Sequence, residues 1–239
     1  LYGVLNGIDV EQFNPATDPY IAENYDADTY QDARAENKRR LQASTGLQQR
    51  PDVPLIGMVS RLVGQKGIGL AAAAMNRLLA ERDVQFVVLG TGDPELQWLM
   101  EELGRNYPDK ARALIMYDAA VAQRIYAGVD MFLMPSHYEP CGIGQMLAMR
   151  YGALPIVRET GGLADTVENF DNAAADHGTG FMFDWEESEA LLNTMRWALD
   201  TYRTKPKAWK RMQERAMNRD FSWERSARIY QELYESILA

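Results

Sequence analysis

The chain has 239 residues, of which 46% are hydrophobic and 25% charged, the balance of an ordinary globular protein able to bury one large core or two small ones. Its 25 basic and 34 acidic residues give a formal charge of -9, which excludes general affinity for nucleic acid or an anionic membrane and makes any phosphate site a local one. No apolar run is long enough to span a bilayer, and the single cysteine, Cys141, cannot form an internal disulfide, which fits a reducing compartment.

The sequence opens at Leu1 without Met and without the charged-then-apolar pattern of a signal peptide, and is read as a piece of something longer. Residues 1–9, LYGVLNGID, are an apolar stretch ending in a turn signal at Asn6-Gly7. The Asn-, Asp-, Pro- and Tyr-rich segment that follows, to about Tyr30, has no periodicity and reads as an irregular surface connector. Residues 32–45 have helical composition, with Gly46 as the stop. From Pro54 short apolar runs alternate with helical periods. Strands are expected at 55–59, 86–89, 113–116, 131–134, 154–157 and 180–183. Helices are expected behind the first strand, where Leu70, Ala74 and Leu78 recur, then at 94–103 and 119–127, and from Gly161 towards Phe170. This alternation predicts an α/β fold, a Rossmann-like doubly wound parallel sheet of about six strands with helices on both faces. The tail is different: Leu191, Met195, Leu199 and Tyr202 mark one amphipathic helix, 206–217 a second, and Ala227, Tyr230, Tyr234 and Ile237 a third. The expected domains are a connector with its helix over 1–50, the sheet domain over 51–204 and terminal helices over 205–239.

In an open parallel sheet ligands bind beyond the carboxyl ends of the strands, so the turns after each strand are the candidate sites. After the fourth comes S-H-Y-E-P-C-G-I-G-Q, a strand-to-helix turn. There Pro140 pushes Glu139 towards an extended conformation, and Gly142 and Gly144 permit close approach to the backbone as a helix begins. A carboxylate beside such an anion-accepting turn suits a sugar nucleotide, the competing reading being a loop that merely reverses the chain with Glu139 solvated. After the first strand Arg61 and Lys66 share a glycine-punctuated loop, either solvated or suited to a diphosphate as a planar fork and a point charge. Gly90-x-Gly92 after the second is a weak Rossmann-like match, more often a tight turn. Tyr117 after the third is core, rim or a ring to stack on a base, and Gly161-Gly162 after the fifth opens a helix, either as an ordinary helix start or as an anion site. Cys141 is by default a small buried hydrophobe, and His137 and His177 have no partner at metal or triad spacing, so no metal is expected.

Together these turns are specific. V-S-R-L-x-x-Q-K-G from Val59, E-P-C-G-I-x-Q from Glu139 and V-R-x-T-G-G-L-x-D-T-V from Val157 closely resemble the glycogen and starch synthases of bacteria and plants, glycosyltransferase family 5. Further matches in family order are L-N-G-I-D from Leu5, N-P-A-T-D-P from Asn14, V-L-G-T-G-D from Val88, I-Y-A-G-x-D from Ile125, A-M-R-Y-G from Ala148 and F-S-W from Phe221. The resemblance implies the C-terminal, donor-binding half of a GT-B fold whose last helix crosses to an N-terminal domain missing here, along with that domain's K-x-G-G-L loop. It implies ADP or ADP-glucose as ligand, an α-1,4-glucan acceptor, retention at the anomeric carbon and no cofactor. The location implied is cytoplasm in a bacterium or plastid stroma in a plant, and the fragment alone is expected to be inactive. Arg61 and Lys66 would neutralise the diphosphate and Glu139 orient the glucose, as the catalytic set. Asn6, Tyr117, Cys141, Gly142, Ile143, Gly144, Thr160, Gly161 and Gly162 would complete the substrate contacts, Tyr117 by stacking on the base. The family commonly has Thr where this chain has Gly144, and the second Glu that many retaining transferases carry eight residues after the first is Leu147 here. The competing assignments are a non-catalytic nucleotide-sugar-binding module and a similar transferase using another nucleotide sugar.

Overall fold

The computed structural model describes residues 2–171 and 177–238, so Leu1 and Ala239, the outer limits of the expected first and last segments, lie outside the described residues. Six strands, β1 (Leu55–Val59), β2 (Gln85–Leu89), β3 (Ala111–Leu114), β4 (Met131–Met134), β5 (Leu154–Arg158) and β6 (Phe181–Phe183), form one parallel sheet in the order β3-β2-β1-β4-β5-β6. The doubly wound expectation is met. The helices are α1 (Tyr30–Thr45), α2 (Ile68–Glu81), α3 (Pro94–Asn106), α4 (Ala119–Gly128), α5 (Gly144–Arg150), α6 (Gly161–Thr166), α7 (Ser188–Thr204), α8 (Pro206–Met217) and α9 (Trp223–Leu238). Chain order reverses direction between the neighbours β1 and β4, which opens a crevice at their carboxyl ends. Among the described residues no helix is long and apolar enough to cross a membrane.

Burial on both faces explains why the strands read as continuous apolar runs. Ile56, Met58, Phe86, Val88, Met131 and Leu133 join a core with α2, α7 and α8. The alternate residues Leu55, Val87, Leu89 and Phe132 join a second core with α1, α4 and α5. Ile21, Tyr25, Tyr30 and Leu41 are buried in that second core, so part of the region read as a surface connector is packed interior.

Several boundaries differ from the expected ones, α3 for instance running to Asn106, and three of the differences have a visible cause in pairing. β3 runs 111–114 rather than 113–116, because Ala111 to Leu114 pair in register with Phe86 to Leu89, which releases Ile115 and Met116 beyond the strand end. α6 stops at Thr166, short of Phe170: Val167 is extended and the Phe170 amide donates to the Gly180 carbonyl at 2.9 Å, drawing residues 167–170 alongside the approach to β6. That pairing takes Gly180 out of β6 itself.

Asp130, in the turn before β4, has a structural task. Its Oδ2 accepts from Lys38 Nζ of α1 at 2.7 Å and from the Leu55 amide at 2.8 Å, with the Lys38 side chain 6% exposed. One carboxylate thus ties α1 to the first residue of β1. Removing one member of a buried ion pair leaves an uncompensated charge, so Asp130→Ala should lower unfolding free energy in urea by about 3 to 5 kcal/mol. The Lys38→Met/Asp130→Ala double variant should recover part of that loss; a double variant as unstable as the sum of the singles would exclude the pair as the cause.

The register that pairs Arg158 with Phe183 brings the next residues, Glu159 and Asp184, side by side past the ends of β5 and β6. A hydrogen bond with Asp184, and then the repulsion of that carboxylate, raise the Glu159 carboxyl above its ordinary value. The folded chain therefore holds this proton more tightly than the unfolded chain. The resulting stability is complete below the ordinary glutamate value, about 4.3, and is lost as pH rises through the raised one. Glu159→Gln should flatten that part of the stability curve, followed by urea titration at stepped pH; an unaltered curve would refute the shared proton.

Candidate functional site

The site is assembled at the carboxyl ends of β1 and β4. Beyond β1, the Ser60 amide donates to Leu89 O at 3.0 Å and the Leu62 amide to Thr91 O at 2.8 Å, continuing the β1–β2 ladder past the strands. Gly90 and Gly92 make this approach possible: a Cβ at Gly90 would sit 1.9 Å from Ser60 O, and one at Gly92 2.1 Å from Leu62 O. The G-x-G pattern thus serves loop packing. Between these anchored residues lies Arg61, exposed, and among the described residues without an ion-pair partner.

A 3-10 turn, Gly64–Lys66, follows and ends at Gly67 with φ +66°, a left-handed conformation that favours glycine. A Cβ at Gly67 would lie 2.0 Å from Pro135 O, so this residue lets the cation loop press against the chain leaving β4. The contact delivers Lys66 to Glu139: Nζ and Oε2 are 2.5 Å apart, with side-chain exposures of 16% and 8%. Ser136 Oγ donates to the same oxygen at 3.2 Å. Among the described residues Oε1 has no protein donor and remains an acceptor for hydroxyls.

The loop around Glu139 is fixed through its carbonyls. Arg158, at the end of β5, donates through Nε to Ser136 O at 3.0 Å and through Nη2 to His137 O. Gln65 Nε2 donates to Tyr138 O at 3.1 Å, and the Gly162 amide to Glu139 O at 2.9 Å. Buried Gln145 donates through Nε2 to Cys141 O and Gly142 O, each at 3.1 Å. With these carbonyls turned into the protein, the amides of Cys141, Gly142 and Ile143 have no acceptor among the described residues. Arg158 and Gln65 carried no role in the sequence reading, although both stand inside the motifs quoted there.

Thr160, Gly161 and Gly162 lie against this loop from β5. Cβ atoms at Gly161 and Gly162 would come within 2.2 Å of Glu139 O and 2.0 Å of Cys141 O. The pair is therefore required by loop-on-loop approach, and the Gly162 amide is spent within the protein. At Gly144 a Cβ would meet the Phe132 ring at 3.2 Å and the Met134 sulfur at 3.3 Å, a close fit to two side chains. Cys141 is partly buried against the second core, and Ile143 is half exposed at the rim. His137 pairs with Glu186 at 2.7 Å and His177 lies 3.6 Å from Glu168, both in surface contacts. Among the described residues no His, Cys, Asp and Glu group is arranged to hold a metal ion.

Beside Arg61 a cavity of about 290 Å³ opens towards β2 and β3. Val59, Leu89, Met116, Ala122 and Leu147 give it apolar walls, and Tyr117, 92% exposed, stands at its mouth. Leu147 in this wall means that the place of a second glutamate is apolar here. The half-buried ring of Phe13, from the segment read as a connector, also lines it. Asn6 is not drawn into this group: it is exposed, and its neighbours Leu5 and Ile8 bond instead to Ser226 and Phe221 near the start of α9.

A family model described as glycosyl transferases group 1 matches residues 41–219. The glycogen synthase of Streptococcus gordonii is 49% identical over 238 residues, 100% of this chain and 49% of that protein; that of Thermotoga maritima is 48% identical over 239 residues, with the same coverage. Among solved structures, the catalytic domain of starch synthase IV from Arabidopsis thaliana, bound to ADP and acarbose, superposes with a TM-score of 0.90 at 39% identity over 98% of this chain and 48% of that one. The chain spans about half the length of the curated relatives it matches. With the family's model over most of the chain and a site at the switch of a doubly wound sheet, this chain belongs to the group 1 glycosyltransferases.

Proposed function

We propose that this chain is the donor-binding half of a retaining glucosyltransferase that transfers glucose from ADP-glucose to the non-reducing end of an α-1,4-glucan. The observation that carries the reading is Arg61, without an ion-pair partner among the described residues, at the mouth of an apolar cavity next to a buried Lys66–Glu139 pair. The glycogen synthases and the ADP- and acarbose-bound starch synthase among its relatives favour an adenine nucleotide and a glucan over other choices. Arg61 supplies a fork of donors to the diphosphate. Lys66 has three N–H donors and spends one on Glu139, leaving two for phosphate oxygens. As the bond between the anomeric carbon and the diphosphate oxygen breaks, negative charge grows on the departing ADP, where both cations stand ready. Glu139 Oε1 accepts from glucose hydroxyls and orients the sugar, while the amides of Cys141, Gly142 and Ile143, without acceptors among the described residues, offer further donors. The 4-hydroxyl of the glucan forms the new bond to the anomeric carbon with retained configuration, and its proton passes to the departing ADP, which carries away the electrons of the broken bond. Thr160, Gly161 and Gly162 support the loop, and Asn6 acts only if the cleft closes over it.

The other half of the parent enzyme brings the acceptor, so this half alone binds nucleotide without polymerising glucan. The exposed apolar side of α9, with Tyr234, Ile237 and Leu238, suits a crossing to that half.

Calorimetric titration with ADP, ADP-glucose and UDP-glucose tests the reading. ADP and ADP-glucose should bind more tightly than UDP-glucose. Arg61→Ala, which removes charge-assisted hydrogen bonds, should weaken both adenine ligands at least about tenfold. Glu139→Gln should weaken ADP-glucose relative to ADP. No binding by the wild type, or full binding by Arg61→Ala, would overturn the assignment.

A further inference from the structure

Residues 9–18 look like a tether in the sequence, yet they are fastened to the sheet domain at two successive residues of the A-M-R-Y-G motif. Arg150, in the last turn of α5, donates through Nη2 to Val10 O at 2.8 Å and through Nε to Phe13 O. The next residue, buried Tyr151, has its hydroxyl 2.6 Å from Asp18 Oδ2. The segment is also closed on itself: Asp9 Oδ1 accepts from the amides of Glu11 and Gln12 at 3.0 and 2.9 Å, and the Phe13 amide donates to Asp9 O at 3.0 Å. Burying the Arg150 guanidinium costs free energy, and its pKa is lowered by that desolvation, so the two carbonyl contacts answer a real penalty. What they achieve is the placement of one ring. Phe13 is held in the wall of the 290 Å³ cavity that Met116 and Tyr117 approach from the β3 side.

We propose that Phe13 is a base-positioning residue of the nucleotide site, forming a fixed aromatic wall, and that Arg150 is the positioning residue that holds it there. The inference rests on the nucleotide reading above. A planar heteroaromatic base suits this cavity because its walls are mostly apolar and three aromatic residues, Phe13, Tyr117 and Tyr126, line it, while Arg61, the one arginine lining it among the described residues, stands where the phosphates would leave. The wall acts on the base alone. Its removal therefore separates base affinity from diphosphate affinity, which loss of a cation cannot do.

The test compares ADP with inorganic pyrophosphate, the latter by competition against ADP, on the whole chain and its variants. Phe13→Ala should weaken ADP about tenfold, the scale of one aromatic–base contact, and leave pyrophosphate within about twofold. Phe13→Tyr, which keeps the ring, should bind ADP as the wild type does. Arg150→Gln should follow Phe13→Ala in ligand pattern, whereas Arg61→Ala should weaken both ligands. Thermal melting of each variant separates loss of the wall from loss of the fold. Unchanged ADP affinity in Phe13→Ala, or equal weakening of ADP and pyrophosphate, would overturn the role of Phe13 while leaving the nucleotide reading intact. A wild type that binds pyrophosphate as tightly as ADP would remove the base cavity, and one that binds neither would remove the nucleotide reading itself.

Discussion

The site depends on neutralising one buried carboxylate. Glu139 is 6% exposed, and an unpaired carboxylate at that depth would cost several kcal/mol or take up a proton. Lys66 answers that cost, and it reaches Glu139 only because the β1 and β4 loops touch along their backbones. The left-handed glycine at 67, the glycine pair at 161 and 162, and the carbonyl anchors from Arg158, Gln65 and Gln145 all serve the same placement. A loop so held presents Oε1 and a set of amides without acceptors among the described residues, with no rearrangement, and that preorganisation is what a site for developing charge requires.

The sheet order then lays out a ligand's parts along one edge. The apolar cavity lies at the ends of β1, β2 and β3, Arg61 and Lys66 at the end of β1, and Glu139 at the end of β4. A nucleotide sugar placed with its base towards β3 meets, in order, a hydrophobic wall, two cations and a carboxylate. This sequence of environments matches a base, a diphosphate and a hydroxylated ring. Met116 takes part because register with β2 ends β3 at Leu114 and leaves it free to turn into the cavity.

The strands were legible because both faces are buried, so their apolar runs stand out against the helical periods between them. The turns that carry Arg61, Lys66 and Glu139 were legible through the rule that parallel sheets bind ligands at the strand ends, whereas their grouping as one set came from the family resemblance. Less legible were features whose cause is a partner distant in sequence. Nothing in residues 167–170 announces that they will pair with Gly180 instead of extending α6. The glycines at 90, 92, 161 and 162 resemble phosphate-binding signals, yet each is explained by an opposing backbone that only the folded chain supplies. Phe13 was hidden for the same reason: a segment without periodicity carries no sign that Arg150 will hold it.

The two cations of the site are not equivalent, and the difference follows from their partners. The protein's net charge of -9 offers an anion no general attraction, so binding must come from local positive charge. Lys66 contributes little of that by itself, since Glu139 offsets its charge at contact distance. Arg61 lines the cavity with no ion-pair partner among the described residues, and on the proposed reading would supply most of the net attraction. Loss of Arg61 subtracts a favourable term and leaves the loops standing. Loss of Lys66 would leave Glu139 unneutralised beside a ligand placed there and remove one of the contacts that join the β1 loop to the β4 loop. On the proposed reading the lysine would act on the diphosphate chiefly by cancelling the charge beside it, and the arginine by its own.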